Sequence, residues 1–291
     1  MSDPDGTEAW WLRLECDPAD SELAADRLWA LGAIAVGEEL GVLTAGFPDR
    51  ESAAAATSQL GGRWGVSSGV DDGDWRSAWR AHARPVLVGP FLVRTVERGA
   101  GSTGPVGGHS PEPDSIVLDI DPGHSFGSGH HPTTRQCLAE VAQLAGPGRS
   151  VLDVGSGSGV LSVAAARLGA GPVVALDLDH RASVATRDNG AANGVDLQVL
   201  TAGPAALRAS FDLVVANLGG ALAPIALADT LTGLVAPGGA LVVAGLLAPG
   251  SGVGLDPAVD QPRQVRAALA GLEAEGRRQD DGWVALRMRR R

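Results

Sequence analysis

The ten residues Val151-Leu152-Asp153-Val154-Gly155-Ser156-Gly157-Ser158-Gly159-Val160 decide how this chain folds. Four apolar-rich residues ending on a glycine read as a buried strand, and Val160 to Leu168 (VLSVAAARL) has the small, aliphatic character of a packed helix. Between them, three glycines at alternate positions make a tight turn. Further on, a second apolar strand, Val173 to Leu176, runs into Asp177. A glycine turn between strand and helix lets main-chain N–H groups approach a ligand closely. A carboxylate at the end of the next strand can grip ribose hydroxyls. The pairing predicts a nucleoside-bearing cofactor. The plainer alternatives are a simple turn in a glycine-rich chain and a solvated charge at a strand end.

Glycine spacing selects among such cofactors. The dinucleotide fingerprint is G-x-G-x-x-G, whereas here Gly155, Gly157 and Gly159 follow a G-x-G-x-G pattern and position 160 is Val. That disfavours a nicotinamide enzyme. A phosphate-binding P-loop is excluded, because its Gly-Lys-Ser/Thr is missing and the chain contains no Lys at all.

Upstream, the segment from Asp121 to Thr134 reads D-P-G-H-S-F-G-S-G-H-H-P-T-T, followed by a helix over Gln136 to Leu144. Its glycines permit backbone bends, and Thr133 and Thr134 stand where the helix begins. A hydroxyl there either caps the helix or faces the ligand. His124 and the adjacent His130-His131 pair lack helical ligand spacing, and no thiol or carboxylate completes a set, so no metal site is expected. Downstream, Phe211 to Ala216 is a strand that delivers Asn217, with a turn residue as the plainer reading of that asparagine.

The 291 residues suffice for one large or two moderate domains. Residues 1–70 alternate strand, helix, strand, strand, helix, strand: residues 10–16, 18–31, 33–38, 42–47, 48–60 and 63–70. That order is ferredoxin-like. Residues 71–84 form a linker in which Trp75 and Trp79 share one helical face over Asp74 to Ala83. Residues 85–291 carry the glycine turn, a Gly- and Pro-rich loop over Gly99 to Pro113, a helix over Val265 to Leu272 and a closing strand over Trp283 to Met288. The Arg-rich end (Arg287, Arg289, Arg290, Arg291) reads as a tail.

Net charge is −11, and residues 1–70 hold 12 acidic against 4 basic residues. Such a surface opposes non-specific nucleic-acid binding and suits either plain solubility or a basic protein substrate. No apolar run is long enough to span a membrane. The acidic N-terminus is unlike a signal peptide, and two cysteines make no disulfide framework. A cytoplasmic protein is expected.

Four segments in order, D-P-G-x-x-F-G-x-G-x-H-P-T-T, V-L-D-V-G-x-G-S-G, D-L-D and V-V-A-N-L, resemble the PrmA family. These are class I S-adenosylmethionine-dependent methyltransferases of ribosomal protein L-eleven, at the base of the large-subunit stalk. The acidic-Trp-x-x-x-Trp segment (Asp74, Trp75, Trp79) and the small leading domain extend the resemblance over nearly the whole chain. It implies a Rossmann-like doubly wound α/β sheet preceded by a ferredoxin-like substrate-recognition domain. It also implies methyl transfer to lysine side chains or the N-terminal amine of L-eleven, free or on the large subunit. Thr134, Gly155, Asp177 and Asn217 then contact S-adenosylmethionine, with Gly157 in the same turn. Asn217 lies beside the reactive methyl and orients the amine. Lysine has a pKa of about 10.4 and must lose its proton first, an α-amine near 8 more easily. Asn217 cannot act as the base.

The chain departs from the family at Leu218-Gly219-Gly220-Ala221, where I-L-A-G is usual, and at Ser156, where cysteine is frequent. No acid follows the third strand (Leu200-Thr201-Ala202-Gly203), which leaves adenine to backbone and apolar contacts. Rival readings are methylation of another protein lysine or a small amine, and a non-catalytic ribosome-docking protein. A base methyltransferase is disfavoured because no Pro-Pro-aromatic follows Asn217.

Overall fold

The computed structural model describes residues 10–16, 31–33, 35–39, 42–47, 49–70, 85–96, 115–122, 127–218, 221–249 and 260–291, with Ala24, Arg27, Leu28 and Ser125. The expected linker helix with Trp75 and Trp79, most of the 18–31 helix, the loop over 99–113, His124 and Gly219-Gly220 lie outside these residues. The described residues fall into two compact units, one before residue 83 and one from there on.

The first unit is a four-stranded antiparallel sheet in the order β2-β3-β1-β4: β1 Trp10–Glu15, β2 Ala35–Glu39, β3 Val42–Phe47 and β4 Gly65–Val70. Strand β1 alternates, burying Leu12 and Leu14 while Arg13 and Glu15 face out. A half-buried antiparallel strand requires that alternation. Helix α1 (Arg50–Leu60) starts where the Asp49 side chain accepts from Ser52 N at 2.8 Å, and it buries Ala53, Ala56 and Leu60. Ala24 and Leu28 join the same core.

The second unit is built on a seven-stranded sheet. Its strands are β8 Val151–Val154, β9 Val173–Asp177, β10 Gln198–Thr201, β11 Phe211–Asn217, β12 Val235–Leu247, β13 Glu273–Asp280 and β14 Trp283–Arg289. They lie in the order β10-β9-β8-β11-β12-β14-β13, parallel from β10 to β12, with β14 antiparallel to both its neighbours. This is the doubly wound arrangement expected. All four residues of β8 are buried because helices cover both faces of the sheet. Alternate side chains feed two separate cores. Leu152, Val154, Val214, Ala216, Leu241 and Val243 enter one, and Val151, Leu213, Val215 and Val242 enter the other.

Helix α2 (Pro132–Leu144) and helix α3 (Val160–Arg167) pack into the second of these cores. It is completed by a small sheet of β5 Val86–Val88, β6 Phe91–Thr95 and β7 Ile116–Ile120. Helix α4 (His180–Ala192) follows β9. Short helices α5 (Leu222–Ala226) and α6 (Ala228–Leu234) follow β11, and Leu231 and Leu234 lie in the first core. Helix α7 (Gln261–Ala268) is capped by the Asp260 side chain, which accepts from Arg263 N at 2.9 Å.

Two expectations are corrected. The helix expected over 265–272 ends at Ala268, and the chain goes on into β13 (EAEGRRQD), a strand with no apolar alternation. Nor is the Arg-rich end a tail. Arg287 and Arg289 lie in β14, Arg289 pairs with Glu275 at 2.8 Å, and Arg291 pairs with Glu273. Arg290 donates to Val235 O at 2.7 Å, and its main chain pairs with Gly238 and Gly239. Cross-strand carboxylates and main-chain carbonyls anchor these cations in place.

Candidate active site

Parallel register sets three expected residues abreast. Val154 faces Leu176 on β9 and Ala216 on β11, so Gly155, Asp177 and Asn217 form the next row, at the carboxyl edge of the sheet. The helices after β8 and β11 pack into different cores, α3 into one and α6 into the other. The row therefore stands where the strand order reverses, which is where open α/β sheets bind ligands.

The turn is built for close approach. Gly155, Gly157 and Gly159 have φ of 74°, 54° and 79°, values that L side chains rarely adopt. A Cβ on Gly159 would lie 2.8 Å from Thr186 Cγ2 and 2.9 Å from its Cα, and one on Gly155 would lie 2.7 Å from Leu218 Cδ2. Gly155 N and Ser156 N both donate to Leu176 O, at 2.8 and 2.9 Å, fastening the turn across to β9. Asp177 completes the fastening: it accepts from Gly157 N and from Asp179 N, both at 2.9 Å. Each carboxylate oxygen thus spends one lone pair on the main chain and keeps one for a ligand.

The H-P-T-T element answers the question of capping. His131 is the N-cap of α2: its Nδ1 accepts from Thr133 N at 3.3 Å and lies 2.8 Å from Thr133 Oγ1. Burial, with the Arg135 guanidinium nearby, pushes its pKa down to about 3, so the ring is a neutral acceptor. The cap is supplied by histidine and not by Thr134. The Thr134 hydroxyl, 1% exposed, has no hydrogen-bond partner among the described residues. A buried hydroxyl left so is costly and fits a group reserved for a ligand.

Sequence reasoning missed what seats this element. Arg135 donates to His130 O at 2.6 Å, to Asp280 at the end of β13 at 2.7 Å and to Asp281 in the turn that follows at 2.9 Å. Gln136 donates to Trp283 O at 2.9 Å, and the His131 and Trp283 rings meet edge to face at 4.9 Å. Ser158 Oγ donates to Gly127 O at 2.7 Å, joining the glycine turn to the segment that precedes α2. Thr186, Asn189 and Asn193 also went unnoticed, although their spacing puts three polar groups on one helical face. Thr186 donates to Gly157 O at 3.1 Å from beneath the turn.

Asp153, beside the turn on β8, is buried and accepts from Ser162 Oγ at 2.7 Å. Burial foremost, and the nearby Asp177 charge, push its pKa up to about 6 against the effect of that hydrogen bond. Cys137 is wholly buried and its thiol pKa is raised, first by burial and then by Asp153 and Glu140. It is a packing residue.

The model of the ribosomal protein L11 methyltransferase (PrmA) family matches residues 49–291. The chain belongs to that family. It is 42% identical over 178 residues to a ribosomal protein L11 methyltransferase of Geobacter metallireducens, covering 60% of this chain and 55% of the relative. The enzyme of that name from Symbiobacterium thermophilum is 33% identical over 278 residues, covering 95% of this chain and 84% of the relative. This chain spans just over half the length of the two Geobacter relatives it matches. A crystal structure of ribosomal protein L11 methylase from Lactobacillus delbrueckii subsp. bulgaricus superposes with a TM-score of 0.55 at 27% identity, covering 63% of this chain and 91% of that one. The second unit has the class I methyltransferase fold.

Proposed function

We propose that this protein transfers methyl groups from S-adenosylmethionine to amino groups of ribosomal protein L11, on lysine side chains, the N-terminal amine or both. The observation that carries the proposal is the row Gly155, Asp177, Asn217 at the reversal of strand order, with Asp177 already tied to the turn at Gly157. The residues present fit the cofactor: the cramped glycine turn admits main-chain contact, Asp177 keeps free lone pairs, and Thr134 offers an unpartnered buried hydroxyl. When bound, S-adenosylmethionine supplies a sulfonium-activated methyl group. Gly155 and Gly157 would hold it by their main-chain carbonyls, since their N–H groups already donate to Leu176 O and Asp177, with Asp177 adding its carboxylate and Thr134 its hydroxyl.

What remains for this chain is to present a neutral amine, so positioning is the main contribution. Asn217, half-buried at the end of β11, would orient that amine through its side-chain oxygen. The remaining lone pairs of Asp177 are assigned to the cofactor and Asp153 is buried on β8, so the amine's proton leaves to water.

Residues 1–70 are assigned as the substrate-recognition domain, of ferredoxin-like type, joined through 71–84 to a catalytic domain over 85–291. The order β2-β3-β1-β4 and the excess of 12 acidic over 4 basic residues support that assignment, since an acidic surface attracts a basic protein. The substrate is taken free or on the large subunit in the cytoplasm, without direct nucleic-acid contact or a membrane. Among the described residues no helix is long and apolar enough to cross one.

The test is to incubate the full chain with S-adenosylmethionine and ribosomal protein L11 and weigh the product intact. Mass increments of whole methyl groups, abolished by Asp177→Ala, are expected. Cofactor binding without any increment would move the activity to a different amine. Absence of cofactor binding would end the reading altogether.

A further inference from the structure

Helix α4 turns Thr186 and Asn189 into the protein, both with no exposed surface. A buried amide is tolerated when its hydrogen-bonding capacity is used, and Asn189 uses it in an informative way. Its Oδ1 accepts from Asp121 N at 2.9 Å, and its Nδ2 donates to Asp121 O and to Ser158 O, both at 2.8 Å. One side chain therefore pairs with both main-chain groups of Asp121, much as a neighbouring strand would, and holds Ser158 of the glycine turn with its remaining N–H. Asp121 heads the segment that runs to His131 and Thr134.

Asn193, one helical turn on, repeats half of this pattern. It accepts from Asp119 N at 2.9 Å and donates to Asp119 O at 2.8 Å, but its other N–H goes to Asn189 O within α4. The two side chains carry the same amide, but Asn189 is fully buried and Asn193 half-exposed at the end of the helix, and of the two Asn189 is the one that bonds to the glycine turn.

Resting on the cofactor site argued above, we propose that Asn189 is a positioning residue that sets cofactor affinity by holding Asp121, which precedes the Thr134 element in the chain, against the glycine turn. In that site, Thr134 would stand on one wall and Gly155 with Gly157 on the other. A ligand that bridges both binds best when their separation is already set, because ordering the walls on binding would subtract from affinity. The Ser158 Oγ bond to Gly127 O ties the same two segments at a second point. The fold therefore does not depend on Asn189 alone. Aspartate in its place lacks the donors and leucine lacks both functions, so asparagine is the side chain that joins three main-chain groups here.

The experiment is calorimetric titration of the full chain with S-adenosylmethionine, with urea unfolding of each protein. The proteins are the wild type, Asn189→Ala, Asn193→Ala, Thr134→Val and the double variant Asn189→Ala with Thr134→Val. Asn189→Ala should lose more stability than the half-exposed Asn193→Ala, and only Asn189→Ala weakens cofactor binding, by about tenfold or more. Thr134→Val should cost less affinity in the Asn189→Ala background than alone, a non-additivity that a merely structural asparagine would not produce. Unchanged affinity in Asn189→Ala, equal weakening in Asn193→Ala, or full additivity overturns the inference. Asn189→Ser serves as the second variant if Asn189→Ala does not fold, and failure of both makes Asn189 a folding residue and overturns it too. A wild type that binds no cofactor overturns the site reading and the inference together.

Discussion

His131 and Asp153 are buried groups whose pKa values move in opposite senses, to about 3 and about 6, both with desolvation as the largest cause. For His131 the folded-state value lies below the unfolded one, so its contribution is present above about 6.5 and is lost as pH falls toward 3. For Asp153 the folded-state value lies above the unfolded one, so its contribution is present below about 4 and is lost as pH rises through 6. Between pH 6.5 and 4.5 the two oppose each other, at roughly 2 kcal/mol each. His131→Asn keeps a capping side chain but does not titrate, so acidification from pH 7 to 4.5 should favour it by about that amount relative to wild type. Asp153→Asn should lose ground by a similar amount over the same range. Urea midpoints at the two pH values decide the matter. Parallel profiles for all three proteins would mean that neither group is desolvated as the fold implies. Other carboxylates, such as Asp212 with its pKa lowered by bonds from Ser150, affect all three proteins alike and cancel.

Strand β13 has almost no apolar content, and side-chain charge holds it in the sheet. Glu140 on α2, nearly buried, receives Arg278 from β13 at 2.5 Å and Arg287 from β14 at 3.1 Å. Glu140→Gln leaves Arg278 without its counter-charge and Arg287 with Glu275 alone, and should cost about 2 kcal/mol, below the figure for a fully buried pair because both arginines keep some solvent. Glu273→Ala, which removes the exposed partner of Arg291, should cost no more than about 0.5 kcal/mol. Equal losses in urea unfolding would contradict this account of β13. The same strand shows where sequence reading stops. Strands β8, β9 and β11 were legible because burial on both faces demands continuous apolar runs, and Gly155, Asp177 and Asn217 followed because each ends such a run. Strand β13 was illegible because its charged residues pair with Glu140 on α2, 138 residues away, and with arginines at the end of the chain, and not with an apolar core. The seat of the H-P-T-T element was illegible likewise: Arg135 finds Asp280 across 145 residues, and no local pattern encodes that pairing.

At the scale of the whole chain, each unit closes its own core. The cluster around Leu12, Leu43, Phe47 and Leu60 draws only on residues of the first unit, and both clusters of the second begin no earlier than Val86. A chain starting at residue 71 therefore retains every described contact of the row Gly155, Asp177, Asn217 and of α2. It should unfold cooperatively and bind S-adenosylmethionine within about threefold of the full chain, since no described tie to the turn comes from residues 1–70. It loses a unit with a net charge of −8, from 12 acidic and 4 basic residues, and with it the attraction that raises encounter rates with a basic partner. Methylation of ribosomal protein L11 should fall by about two orders of magnitude in kcat/KM, while methylation of a short amine-bearing peptide at saturation changes little. Added salt should raise KM for L11 in the full chain and leave the shortened one nearly indifferent, because charges beyond a Debye length of about 8 Å at physiological salt are screened. A shortened chain that methylates L11 as well as the whole protein would place substrate recognition in the catalytic unit. The acidic surface of residues 1–70 would then be a matter of solubility alone.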